Sequence, residues 1–406
     1  MIPLAQKIKN LLNFRKIKIE ESSALYASNS LYNLALSLIG IYIPIYLFNV
    51  TAGNKIFHSH YVLNGIIWIC LYSALISVFL VLTTVLFEEK LFSKLKLKKS
   101  LFFGVVLLIV HLFLLMLAER NFYLIIVAAM VGGVEATLYW IPYHIFFVKR
   151  ADDGDSKYGT EVGKRGFYGG LVASLGPLLG GLIITQLGFS FLYGLAIIIL
   201  LASSLPILLY VTEGPHREHK IKDVFKNFLF NKQYLITNVA FFGKVGSDVI
   251  SGIFWSLVLY FGLKSFVEIG TLNTLSGIFA TSLLLVVGRN LDLKGSMKIH
   301  SVGVLINSVL GVTRSFIVKP SHLYLNNIGT TINSPAYNTP FMTKVYEKAS
   351  KSGSISDFLV YRELILHASK AVILGLVCVC ILLTGTWRWV FLVAAAGSAI
   401  SLLIEK

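Results

Sequence analysis

Long apolar segments recur along the whole of this 406-residue chain, and they restrict the environment in which it can fold. The composition is 56% hydrophobic and only 14% charged, against about 25% charged residues in a soluble domain. A water-soluble core could not bury this much apolar surface, so lipid is the simpler solvent. Because lipid offers the backbone no hydrogen bonds, each segment must satisfy its own amides and carbonyls as a helix.

Twelve segments approach the length of about 20 residues that a helix needs to cross a bilayer. They predict an all-α polytopic membrane protein with twelve transmembrane helices. The spans are predicted at 25–49, 61–87, 100–118, 122–147, 166–187, 191–212, 235–262, 269–288, 299–318, 323–345, 363–384 and 387–404.

The basic residues alternate from one gap between spans to the next. Twenty-eight of the 36 Lys and Arg residues lie at the two chain ends and in every second gap, whereas the intervening gaps hold five. Cationic side chains are retained on the cytoplasmic side, so the pattern predicts a multi-pass inner (plasma) membrane protein with both termini in the cytoplasm. Anionic headgroups of the inner leaflet then explain the net charge of +16 better than nucleic acid does.

A long polar gap at 213–234 follows the sixth span and predicts a linker between two six-helix bundles, 23–212 and 235–406. Residues 1–22 are predicted to form a cytoplasmic basic tail, either an amphipathic helix on the membrane surface or a partly disordered segment. Weak internal similarity supports two pseudo-symmetric halves. At one constant offset of 198, residues of span four recur in span ten: Tyr139, Pro142 and Ala151 as Tyr337, Pro340 and Ala349.

The loop after span eight carries glycines, an aspartate and a basic residue at regular spacing, namely Gly288, Asp292, Gly295 and Lys298. Glycine lets two helix ends approach closely, and Asp292 can pair with a basic group or with the N-terminus of a neighbouring helix. The corresponding loop of the first half, 88–99, lacks both the glycines and the aspartate.

Span five contains a second motif, formed by Gly176, Pro177, Gly180 and Gly181. Proline removes a backbone hydrogen bond and bends a helix, and the glycines permit close contact between helices. Close packing alone explains the motif nearly as well as a role in transport.

These two motifs resemble signatures of the major facilitator superfamily, the first its GxxxDxxG-plus-basic loop and the second the GPxxGG motif typical of its antiporters. The resemblance implies a secondary transporter whose two bundles rock about a central site, with a cytoplasmic latch at Asp292 that is made and broken. The helix-5 motif favours export. The arginine-containing helix-4 motif of the family is absent here.

In a fold of this family, spans one, four, seven and ten line the central cavity, and in this sequence those spans hold most of the intramembrane polar groups. Such groups are costly against lipid and should face a wet interior. The residues predicted to line the substrate cavity are Asn29, Asn33, Tyr139, Trp140, Trp255, Asn333, Tyr337 and Asn338.

Three ionisable residues within the spans are candidates for coupling transport to protons. Lys244 and Asp248 are spaced i,i+4 and therefore share a helix face. They form either a coupling pair that protonation breaks or a structural ion pair. Glu135 lies near the middle of span four without a local basic partner, and it is either a proton carrier or a neutral acid bonded to another helix.

Together these features predict a secondary active transporter that moves a small solute by alternating access, coupled to protons and directed to export. Sodium is an alternative coupling ion, and a lipid or lysolipid flippase on the same fold is an alternative function. A membrane-embedded enzyme is disfavoured because neither GxSxG nor HExxH occurs. No cofactor, metal or nucleic-acid partner is expected, and we expect a monomer.

Overall fold

The computed structural model describes residues 21–94, 96–152, 158–210, 221–294 and 297–406. Within these ranges the chain is almost entirely helical, and the helices fall into twelve crossings, α1–α12. Of the predicted basic tail, 1–22, residues 1–20 lie outside the described part of the chain. The last two residues of the tail are the first two of α1, which begins at Glu21.

Two of the first six crossings, α1 and α5, are interrupted. α1 is broken into Glu21–Gly40 and Ile43–Thr51, and α5 into Tyr158–Ala173 and residues 176–187. Gly188, with φ 83° and ψ 174°, separates α5 from α6, residues 189–210, within the stretch Gly176–Tyr210. The other helices of this half are α2 (Tyr61–Lys94), α3 (Leu97–Leu117) and α4 (Leu124–Asp152).

The second half begins after short helical turns at Ile221–Val224, Phe225–Leu229 and Lys232–Tyr234. Its helices are α7 (Leu235–Leu263), α8 (Phe266–Lys294), α9 (Met297–Arg314), α10 (Pro320–Lys351), α11 (Ile355–Thr384) and α12 (Val390–Ser401), which a 3₁₀ turn, Leu402–Glu405, follows.

Eight stretches of the described chain are long and apolar enough to cross a membrane, and one of them, Tyr158–Tyr210, contains both α5 and α6. Val390–Glu405 is a shorter apolar helix. The helices α9 and α10 are not among these stretches. In α10 four Asn and four Thr residues lower the hydropathy.

Four of the connections that hydropathy predicts as loops, 88–99, 148–165, 289–298 and 346–362, are largely helical in the described residues, and that prediction was wrong. α4 continues to Asp152 and α5 begins at Tyr158, both inside the predicted gap 148–165. Likewise α10 and α11 occupy all of the predicted gap 346–362 except residues 352–354. Hydropathy marks where a helix stops being apolar, whereas helices that pack against each other stay helical beyond that point.

The packing of the two halves is related by a shift of six helices. α1 packs on α5 and α6, α2 on α4, and α3 on α4 and α6; correspondingly α7 packs on α11 and α12, α8 on α10, and α9 on α10 and α12. The halves meet along α2 with α11 and α5 with α8, two pairs that the same shift exchanges. This is the pattern of a twelve-helix fold with two pseudo-symmetric bundles.

The alternating helix directions place the basic connections together at one end, which we call the basic end. There Glu405, close to the last residue, lies 3.3 Å from His300 of α9 and 3.9 Å from Lys344 of α10. We call the other end, where α1 ends and α8 begins, the opposite end.

Candidate functional site

A cavity of about 460 Å³ lies against α1, α4 and α5 of the first half. Three of the predicted substrate residues, Asn29, Asn33 and Trp140, line it. The Asn33 amide donates to the Asn29 side-chain oxygen at 3.0 Å, so the two amides orient each other. The remaining lining residues are Leu36, Ser37, Arg165, Gly166, Gly169, Gly170 and Ala173.

Stacked aromatic rings form the wall behind this cavity. Tyr32 of α1 stacks on Tyr139 of α4, with ring centroids 4.1 Å apart and planes 4° apart. Trp140 stands edge-on to both rings, at 5.7 and 5.2 Å. Tyr143 continues the stack at 5.8 Å from Tyr139. Tyr139 is buried within this stack, whereas Trp140 is partly exposed to the cavity.

Glu135 lies next to the aromatic stack and is only 5% exposed. Its carboxyl oxygen accepts a hydrogen bond from the Tyr32 hydroxyl at 3.4 Å. Within the described part of the chain no Lys, Arg or His forms an ion pair with it. A buried carboxyl group without a cationic partner is costly to ionise.

Lys244 and Asp248 form the ion pair that their spacing predicts. The Lys244 ammonium donates to both Asp248 oxygens, at 2.6 and 2.5 Å, and to the Asn338 side-chain oxygen at 2.7 Å. It also lies 4.3 Å from the centroid of the Tyr337 ring, within cation–π range. The Lys244 side chain is 7% exposed and that of Asp248 is 51% exposed, so water reaches only the acid.

Two predicted cavity residues make contacts inside the second bundle. The Asn333 amide donates to the Gly303 carbonyl of α9 at 2.7 Å. The Trp255 indole donates to the Asn327 side chain at 2.8 Å, and the Arg314 guanidinium stacks on its ring at 4.3 Å. Both side chains are buried, which makes them weaker candidates for substrate contact.

A second cavity, of about 580 Å³, lies between α8 and α10. Its lining is almost wholly apolar, with Leu275, Phe279, Ile328 and Ile332 among the lining residues. One side-chain pair within that lining joins the two helices: the Tyr324 hydroxyl donates to the Glu268 carboxylate.

Sequence reasoning missed a polar network that joins the two halves at the basic end. Tyr346 of α10 receives a hydrogen bond from Arg165 of α5 at 2.8 Å, and its hydroxyl lies 2.8 Å from Nδ1 of His144 of α4. On α11, Glu363 pairs with Arg362 and lies 3.9 Å from Nε2 of His144. Arg165 and Arg362 were assigned to loops, and only the helical extensions bring them here.

The motif after span eight contacts the start of α5. The Asp292 carboxylate accepts the backbone amides of Gly159 and Thr160, at 2.9 and 2.7 Å, in the first turn of that helix. Its negative charge thus lies at the positive end of the helix dipole. Gly288 is required for the approach, since a Cβ atom there would lie 2.5 Å from the Gly159 carbonyl oxygen.

The other two residues of this motif add less to the contact. Gly295 lies outside the described residues, and Lys298 is exposed at the start of α9.

The helix-5 motif lies where α5 meets α1 and α8. A Cβ atom would lie 1.9 Å from the Ser37 hydroxyl at Gly176, 2.2 Å from the Leu38 carbonyl oxygen at Gly180, and 2.3 Å from the Phe266 carbonyl oxygen at Gly181. Each glycine therefore allows backbone contact with another helix, and the contact at Gly181 crosses between the halves.

Aromatic rings and backbone carbonyls close the opposite end. The buried Tyr42 hydroxyl of α1 lies 2.6 Å from the Pro177 carbonyl oxygen of α5 and 3.0 Å from that of Phe266 of α8. Phe48 packs edge-on against Phe261 of α7 at 5.1 Å. The two halves therefore touch at both ends of the molecule.

Two pseudo-symmetric six-helix bundles around buried ionisable groups define the class of this protein as a polytopic membrane transporter. The sequence matches the family model of the Major Facilitator Superfamily over residues 25–359, so the chain belongs to that superfamily. A search of curated proteins found no match.

Solved structures of the same fold cover nearly the whole chain. The human organic anion transporter MFSD10 (TETRAN) superimposes with a TM-score of 0.67 at 13% identity, covering 95% of this chain and 98% of its own. A variant of the E. coli fucose:proton symporter FucP gives a TM-score of 0.63 at 13% identity, with coverage of 94% and 97%. At this identity the likeness concerns the fold alone.

Proposed function

We propose that this protein is a proton-coupled secondary transporter that moves a small solute by alternating access, in the direction of export. The Lys244–Asp248 pair carries the proposal. Its ammonium is buried, whereas its carboxylate is half exposed and open to protonation from water. Protonating Asp248 would leave the buried Lys244 charge with only Asn338 and the Tyr337 ring, a change large enough to alter the balance between two states.

Glu135 is the corresponding candidate in the first half. It lies against Tyr32, on the opposite side of the aromatic stack from the basic end, and forms no ion pair among the described residues. Loss of its proton would place a charge in a buried site, which is costly without water. Proton exchange at Glu135 would therefore be coupled to the hydration of the cavity beside it. Sodium is a second candidate for the coupling ion.

The contacts at the two ends supply the elements that alternate. Opening one end requires release of Tyr346 and Asp292, and opening the other requires release of Tyr42 from Phe266 and of Phe48 from Phe261. We propose that the basic end faces the cytoplasm of a cell whose inner (plasma) membrane holds the protein as a monomer, since anionic lipids attract its Lys and Arg residues. Residues 23–212 and 235–406 would then rock as two bodies about the 213–234 linker.

A lipid or lysolipid flippase is the second candidate function. The apolar cavity between α8 and α10 favours it, because a chain of carbon atoms could lie along Leu275, Phe279 and Ile328. Export of a small solute stands first because the helix-5 motif resembles that of antiporters.

Proteoliposomes with an acidic, pyranine-containing lumen test the proposal. Anionic, neutral and cationic solutes are added one at a time, and antiport of a solute raises the luminal pH. We expect at least one response, which Asp248→Asn and Glu135→Gln each lower by about tenfold, equivalent to roughly 1.4 kcal/mol. Asp223→Asn, an exposed carboxylate in the linker, is the matched control.

Normal proton-coupled flux in both Asp248→Asn and Glu135→Gln would show that the coupling residues are misassigned. Scrambling of a fluorescent lipid without any proton movement would favour the flippase. Single cysteines at Lys99 and Lys226, both exposed, should react only with reagent on the cytoplasmic side, and those at Lys55 and Lys319 only from outside.

A further inference from the structure

We infer that the substrate is an organic anion: its acidic group contacts Arg165, and its planar or apolar part lies against Trp140 in the cavity beside α1, α4 and α5. This inference rests on the proposed transport function and adds the chemical class of the substrate.

Arg165 is the one formally charged residue among those described as lining this cavity. Its guanidinium lies over the rings of Tyr143 and Phe147, at 5.3 and 5.0 Å from their centroids. These rings remove water from its faces but supply no negative charge. Among the described side chains it donates to Tyr346 through Nη1, which leaves further N–H donors of the guanidinium for a ligand.

The carboxylate nearest in sequence is engaged elsewhere. Glu161 lies one turn earlier on α5, where it accepts Lys164 at 2.8 Å and the Tyr26 hydroxyl at 3.0 Å. Among the described residues no Asp or Glu forms an ion pair with Arg165. A guanidinium that is partly desolvated and has no carboxylate partner in the described part of the chain attracts a planar anionic group, which it can bind through two hydrogen bonds.

The rest of the cavity does not oppose an anion. Asn29 and Asn33 contribute neutral amides, and three glycines of α5 leave its wall free of side chains. The approach at Gly169 is close, since a Cβ atom there would lie 2.8 Å from the Asn33 amide nitrogen. Glu135 is buried and is not among the lining residues, while Lys244 neutralises Asp248 on α7.

Trp140 sets the second half of the predicted specificity. It is partly exposed, lines the same cavity and is held edge-on by Tyr32, Tyr139 and Tyr143. A tryptophan fixed in this way offers a rigid apolar surface for a ring or a hydrocarbon at low cost in conformational entropy.

Three compounds of nearly equal shape test the charge preference: benzoate, benzamide and benzamidine, which carry negative, zero and positive charge at neutral pH. Binding to the purified wild-type protein is measured by thermal shift and by calorimetry. We expect benzoate to bind at least about tenfold more tightly than either of the others, a difference of roughly 1.4 kcal/mol. Equal binding of the three, tighter binding of benzamidine, or no binding of benzoate at millimolar concentration overturns the inference.

Two variants separate an anion site from a purely structural arginine. Arg165→Gln removes the charge and should abolish the preference for benzoate, and Arg165→Lys should restore part of it. Tyr346→Phe removes the contact to Arg165 but keeps the charge, so it should retain the preference. If Tyr346→Phe and Arg165→Gln have the same effect, Arg165 acts only by joining the two halves and the inference is wrong.

The outcome is distinguishable from a failure of the transport proposal. Proton-coupled flux of a cation or neutral solute, with no effect of benzoate, leaves the transport function standing and removes the anion assignment. Tight benzoate binding without flux of any anion supports the anion site and removes the transport function.

Discussion

The two ends of the molecule are closed by different chemistry. At the basic end the halves are joined by charged and titratable groups, including Asp292 on the start of α5 and Tyr346 between Arg165 and His144. At the opposite end they are joined by Tyr42, which bonds backbone carbonyls, and by packed rings and glycines. The contacts at the basic end therefore depend on the charges of the groups that meet there, and those at the opposite end depend on close packing.

This difference bears on how the two openings can be controlled. Under the proposed function, a proton or an anionic ligand would change the contacts between charges and so release the basic end directly. Ring and backbone contacts do not titrate, and they yield only when the helices move apart. In a transporter built in this way, ligand binding would change the contacts at the basic end directly, and the contacts at the opposite end would change only through helix movement.

The largest effect is expected at the basic end, from Glu363→Gln. Arg362 and Glu363 are 9% and 6% exposed, so removing the negative charge leaves a buried guanidinium without its partner. Loss of one member of a buried ion pair destabilises a protein by about 3–5 kcal/mol. Thermal or urea unfolding in detergent measures the loss, with Asp223→Asn as the exposed control. A change below about 1 kcal/mol would mean that the network is not a strong constraint.

At the opposite end the largest effect is expected from Gly181→Ala. The added methyl group would lie 2.3 Å from the Phe266 carbonyl oxygen and push α5 from α8. Overpacking of this kind destabilises a packed interface by about 1–3 kcal/mol. Here it should destabilise the state in which the opposite end is closed. Pulsed electron paramagnetic resonance between spin labels at Gly53 and Lys319 should show a larger fraction of molecules with the long distance of an open end. Gly194→Ala is the matched control, because nothing lies within 4 Å of its added methyl.

Tyr42→Phe should have a smaller effect at the same end. The ring is kept, but the hydroxyl that reaches the Phe266 carbonyl of the other half, as well as the Pro177 carbonyl of its own half, is lost. One hydrogen bond contributes about 1 kcal/mol, so the open fraction should rise severalfold in the same distance measurement. If the distances between Gly53 and Lys319 do not change, this bond is not part of the closure.

The smallest effect is expected from Asp292→Asn at the basic end. The carboxylate is exposed, so solvent screens its interaction with the first turn of α5. A charge at a helix terminus is worth about 0.3–1 kcal/mol and weakens with salt. Labels at Lys99 and Lys351 should show a modest gain of open molecules at low ionic strength. A gain that persists unchanged in 1 M salt would contradict an electrostatic latch.

The sequence predicted the site unevenly, and particular residues show why. Lys244 and Asp248 meet as their i,i+4 spacing predicts, because one helix sets their geometry. Asn333 and Trp255 were assigned to the cavity by polarity, yet they bond to α9 and to Asn327. Polarity indicates that a side chain avoids lipid, but it does not distinguish a cavity from a contact between helices.

Arg165 shows the opposite error. Hydropathy placed it in a loop, since α5 is not apolar before residue 166. The helix nevertheless begins at Tyr158 and carries Arg165 into the cavity wall beside Tyr346. No local pattern marks this, because the partner of Arg165 is 181 residues away.

The amino-acid sequence by itself determined that the chain folds in lipid, where its helices lie and that their directions alternate. These properties follow from the length of each apolar segment and from the basic residues between segments, which can be read one segment at a time. The sequence also marked the glycines at which helices approach. Only the tertiary structure decided which polar groups face a cavity, which pair across the halves and which merely fasten two helices. Those outcomes depend on the rotation of each helix about its own axis, and that rotation is set by packing against neighbours distant in sequence.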